Sequence, residues 1–159
     1  MSYSIHIGEA RIADLDGEPE VRVDGASHPK APVFPGDEMT GNGNGRHPAY
    51  GSWRDFVDKS GLTDLFFDSE EGLMRQHPGT FALGPEHVSR VRGALDRWKS
   101  IHPNDKPGWC ECRECRPYFG PKEPPAHVEL NATLARLIWL EWWMGWALRT
   151  CKRPAVGNT

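Results

Sequence analysis

The segment LIWLEWWMGWAL, residues 137–148, constrains the fold more than any other stretch of the chain. Placed at 100° per residue, the helix it implies separates into two apolar faces. Val128, Ala135, Trp139, Trp142, Trp143 and Trp146 share one face, and Leu130, Leu134, Leu137, Met144 and Leu148 share the opposite one. A helix apolar on both sides is buried between two layers. Tryptophans at i, i+3, i+4 and i+7 therefore read as core in preference to a stacking platform for bases or sugars. The run is 12 residues long and holds Glu141, whereas a membrane span needs about 20. No transmembrane helix is expected.

This helix is expected from about His127 to Thr150 or Cys151. Upstream, Tyr3, Ile5 and Ile7 alternate as a strand, turn residues follow at 14–19, and residues 20–24 return, which predicts a β-hairpin. Pro85 suits a first helical turn, and Val88, Val91, Leu95 and Trp98 then predict a helix to about Ile101. Ser52 and Asp55 resemble a capping box before Trp53, Phe56 and Val57, giving a short helix ended by Gly61. Residues 62–83 read as short helical turns with buried aromatics. With 17 glycines and 14 prolines in 159 residues, much of the chain must be loop. The expected architecture is α+β in one domain. It comprises a hairpin (1–27), a Gly/Asn-rich loop (28–51), a helical part (52–102), a Cys/Pro-rich loop (103–126) and a central helix (127–152).

A formal net charge of −3 and a pI near 6.2 supply no general attraction for phosphate backbones, so nucleic acid is not an expected partner. The first residues lack a basic region followed by an apolar run, which predicts a cytoplasmic protein without a membrane partner.

Three groups of residues invite chemistry. Cys110, Cys112 and Cys115 fall within six residues, too close for an ordinary disulfide framework, and Cys112-x-x-Cys115 has the gap of a zinc knuckle. A fourth ligand would come from Cys151, or from His102 or His127. Four protein ligands make such a zinc structural. The alternatives are unmetallated thiols or a disulfide formed on oxidation.

The second group is the loop of residues 28–50. Its alternating glycines let backbone amides turn toward an anion, with Thr40, Asn42, Asn44 and Arg46 as candidate ligand-binding residues. Asp37, Glu38 and His47 are candidate acid/base residues. The plainer alternative is that asparagine and glycine occupy positive-φ turns and Asp37 caps its own backbone. The third is Glu141, a carboxylate on an apolar helix face. It is either salt-bridged to an arginine of another helix or a site acid of raised pKa. No motif of a serine or cysteine nucleophile surrounds any candidate.

The pattern His28-Pro-x-Ala-Pro-x-Phe-Pro-Gly-Asp-Glu-Met-Thr-Gly-Asn-x-Asn-x-Arg-His-Pro-x-Tyr50 is one part of a wider resemblance. Together with Trp53, Phe56, Gly61, Leu62, Leu65, Phe66, Phe67, His77, Pro78, Gly79 and the late Trp-Leu-Glu-Trp-Trp-Met144, it resembles a family of small uncharacterised proteins of actinobacteria and their phages. The resemblance covers about two-thirds of the chain and implies no activity. It implies a phage or mobile-element accessory protein whose partner is a host protein. The function expected is thus non-enzymatic binding or regulation through residues 28–50. The alternative is a small metal- or acid/base-dependent hydrolase acting on an anionic ligand.

Overall fold

The computed structural model describes residues 4–15, 18–37, 41–67, 72–73, 79–110 and 130–158. The expected hairpin is formed by β1 (Ile5–Leu15) and β2 (Glu18–Val23), with Ala10 opposite Val23 and Leu15 opposite Glu18. Ile5 and Ile7 both point inward and are fully buried, as the two-residue period of a strand requires.

The hairpin belongs to a larger antiparallel sheet. Its order is β2-β1-β7-β4, with β4 (Gly79–Ala82) at one edge and β7 (Pro154–Asn158) between β4 and β1. A short β3 (Gly45–Arg46) pairs with β1 at Ile5 and His6. Ile5, Ile7 and Val156 face the core, while His6, Gly8, Ala155 and Gly157 alternate onto the other face. Small residues there let β2 fold back over the sheet. A Cβ at Gly157 would lie 2.9 Å from Val23 Cγ2, and the Thr80 hydroxyl donates to the Val21 carbonyl at 3.2 Å. The result is a curled sheet, and with the helices the fold is α+β.

Helix α1 (Tyr50–Ser60) begins before Ser52, so the expected capping box does not form. Its cap, Ala49, supplies only backbone, and the Ser52 hydroxyl instead accepts from Arg136 at 2.8 Å. Gly61 ends it in the left-handed region, at φ +73°, where a side chain would be strained. After α2 (Thr63–Phe67), β4 replaces the helical turns expected near residue 80. Its pairing partner β7 is remote in sequence, so no local periodicity announced either strand. Helix α3 (Pro85–Ile101) runs as expected, with Val88, Val91 and Leu95 buried.

The Trp-rich helix α4 spans Ala132–Thr150. It starts later than expected because the Asn131 side chain accepts the Leu134 amide at 2.8 Å, and because β6 (Leu130–Asn131) is extended to pair with β5 (Lys106–Pro107). His127 and Val128 lie outside the described residues. Trp139 and Trp143 are fully buried, and Trp142 and Trp146 pack partly buried against the core. One face of α4 meets α3, and the other meets β1, β7 and the 28–50 segment. That is the two-sided burial its composition requires. No helix among the described residues is long and apolar enough to cross a membrane.

Candidate functional site

Residues 26–28 and 42–44 form the stem of the Gly/Asn-rich segment. Ser27 bridges Gly43, the His28 amide donates to the Asn42 carbonyl at 3.0 Å, and the Asn44 amide donates to the Ala26 carbonyl at 2.9 Å. The Asn44 side chain then fastens this stem to the sheet. Its Oδ1 accepts from the Ala26 amide at 2.7 Å, and its Nδ2 donates to the carbonyls of Ile7 and Asp24 at 3.0 and 2.8 Å. Asn44 is 2 % exposed, and these three bonds occupy its amide group. It is a fastening within the fold, not a contact for an incoming anion.

Arg46 follows on β3 and points inward. Its guanidinium donates to both oxygens of Asp37, at 2.6 and 3.2 Å, and the two side chains are only 4 % and 1 % exposed. The fork-to-carboxylate geometry is the strongest form of such a pair. Arg46 Cζ also lies 5.0 Å from the ring centroids of both Trp109 and Trp139, within the range where a desolvated cation is attracted to a ring face. Burial lowers the Arg46 pKa from its ordinary value, and the Asp37 carboxylate opposes that shift.

The stack extends further. Arg136 Cζ lies 5.9 Å from the Trp109 ring and 5.7 Å from Phe56. Phe56, Arg136, Trp109, Arg46 and Trp139 thus alternate ring and guanidinium. Trp109 is held in place by its backbone, donating to the Pro35 carbonyl at 2.8 Å. Gly36, at φ +71°, passes so close to the Trp109 carbonyl that a Cβ there would collide with it. Segments 28–50, 105–110 and α4 are therefore joined at one point.

The remaining candidates fall elsewhere. Glu141 accepts from Arg92 of α3 at 2.9 and 3.1 Å, which is the salt bridge between helices. The His47 Nδ1 lies 2.6 Å from the Ser4 hydroxyl, and its ring meets that of His6 edge-on with centroids 5.9 Å apart. Burial, and secondarily the neighbouring His47, lower the pKa of His6. Asn42 is exposed, and Glu38 and Thr40 lie outside the described residues. Among the described candidates Asp37 and Arg46 come together, whereas His47 and Glu141 join neither.

Cys110 and Cys151 carry free thiols. Gly108 donates to the Asn131 carbonyl at the start of α4, which places Cys110 near that end, while Cys151 caps the other. At 1.5 Å per residue the 19-residue helix spans about 28 Å, so Cys151 and Cys110 cannot share one zinc ion. The Cys151 thiol instead sits beside Glu9, and burial and that carboxylate raise its pKa. His102 caps α3, its ring 4.6 Å from Trp98. Cys112, Cys115 and His127 lie outside the described residues, among which no group of three or more His, Cys, Asp or Glu gathers as a metal site.

No protein-family model, curated protein or solved structure matches the chain. The residues that sequence reasoning missed are Trp109, Trp139 and Arg136 around Arg46, and Ser4 and His6 beside His47. The first set is joined across more than sixty positions, with no local spacing to reveal it. The second was legible in principle, since antiparallel pairing of Ile5 with Arg46 places Ser4, His6 and His47 on one face.

Proposed function

We propose that the chain is a non-catalytic binding or regulatory protein, of the phage or mobile-element accessory kind, which acts through residues 28–50 and presents the described part of that segment, 28–37 and 41–50, as a rigid surface to a host protein. The observation that supports this is the sealed Asp37–Arg46 pair between Trp109 and Trp139. With Asn44, it uses the polar groups of the segment to hold the segment still. A surface fixed before binding loses little conformational freedom on association. What it offers outward is Pro29, Lys30, Val33 and Pro35, with Tyr50 beside it; Val33 is 59 % exposed and Tyr50 42 %. A structural zinc at Cys110, Cys112 and Cys115 would take its fourth donor from His102 or His127.

The test is capture of an actinobacterial host protein by the tagged chain. K30E and V33E abolish capture without moving the urea midpoint, and R46M weakens it by loosening the segment. Capture indifferent to all three overturns the reading. The hydrolase alternative retains one specific observation, the Ser4–His47 contact. It predicts turnover of ester or phosphoester substrates that is lost in H47A.

A further inference from the structure

The outer face of the sheet beside β3 carries an arrangement that the binding role does not use. His6 of β1 is paired with Gly45 of β3, and His47 lies two residues further along, diagonal to His6 on the same face. Gly45 is what lets the rings approach. A Cβ there would lie 2.7 Å from His6 Nε2 and 2.8 Å from His6 Cδ2, so only a residue without a side chain lets the imidazole lie across the strand toward His47. Ser4, next in register, holds His47 through Nδ1 at 2.6 Å.

We propose that His6 and His47 form a binding site for a borderline divalent transition-metal ion of the Ni²⁺, Cu²⁺ or Zn²⁺ class. Two imidazoles bound to one ion at about 2.1 Å per nitrogen have ring centroids roughly 5–6 Å apart, and here the separation is 5.9 Å with an interplanar angle of 74°. Binding through His47 Nε2 requires the proton on Nδ1, and the Ser4 oxygen accepts it. This is the outer-sphere bond that metal-bound histidines commonly make. Imidazole ligands suit this class of ion over magnesium or calcium. His47 is exposed and His6 half-buried, so water or an external ligand completes the coordination.

The test uses the full chain and Ni²⁺ alone, added below stoichiometry while the imidazole ¹H–¹⁵N signals are followed. This readout assigns binding to individual rings, whatever the thiols do. His6 and His47 broaden before His28 and His87. Titration calorimetry in a background with all four cysteines replaced by serine then gives affinities. S4A lowers affinity by about tenfold, H6A and H47A lower it further, and G45A lowers it by displacing the His6 ring although both histidines are retained. The proposal is overturned if the two rings broaden no earlier than His28 and His87. It is equally overturned if, in the cysteine-free background, H6A leaves the affinity at His47 unchanged, since that would be two independent surface imidazoles.

Discussion

Replacing Arg46 by methionine is the most demanding perturbation of this fold. Methionine keeps much of the length and packs against indoles, so the change removes charge and hydrogen bonds more than volume. It leaves the Asp37 carboxylate, 1 % exposed, without its arginine. Removing one partner of a buried pair costs about 3–5 kcal/mol, and a desolvated cation over a ring contributes up to about 2 kcal/mol. The contributions share one guanidinium and do not add, so we expect a loss of about 4 kcal/mol, a large part of a typical stability of about 5–15 kcal/mol. Urea unfolding followed by tryptophan fluorescence measures it, at unchanged slope. The double variant D37L/R46M recovers about 2 kcal/mol or more of the loss, because no buried carboxylate then lacks its arginine. A loss below about 1 kcal/mol for R46M, the range of a solvated surface pair, would refute the reasoning, as would a double variant no more stable than the single one.

Other outcomes follow from the same geometry. N44A strands the Ala26 amide and the Ile7 and Asp24 carbonyls and costs about 2–4 kcal/mol by the same unfolding assay. His6 has a lowered folded pKa, so the unfolded chain binds its proton more readily. The stability His6 contributes is therefore complete above about pH 6.5 and is lost as pH falls through the folded value. H47A, by removing the nearby charge, moves the His6 pKa back upward in an NMR titration. For the structural zinc proposed at Cys110, C151S leaves the zinc content of the purified chain unchanged, whereas C110S lowers it, as read by elemental analysis.

Much of the fold was legible because its signals are local. The spacing of Val88, Val91, Leu95 and Trp98 gave α3, and the doubly apolar pattern of residues 134–148 required a helix between layers. Strand β7 was not legible, since Pro154, Gly157 and Asn158 argue for a turn until β1 and β4 flank them. The salt-bridge reading of Glu141 could be stated from its helix face, although not its partner Arg92. The Asp37–Arg46 pair was read as two separate candidates. What unites them is a tryptophan from each of two distant segments, and long-range burial leaves no periodicity in the chain.

The central claim is that residues 41–47 are a fixed part of the sheet and not a free loop. Amide hydrogen exchange tests it most directly. The amides of Ile7, Ala26 and Asn44, each bonded through this stem, should exchange only with the β1–β7 ladder, in one cooperative opening. Exchange of the Ala26 and Asn44 amides at rates of an unstructured peptide, while the ladder stays protected, would contradict it.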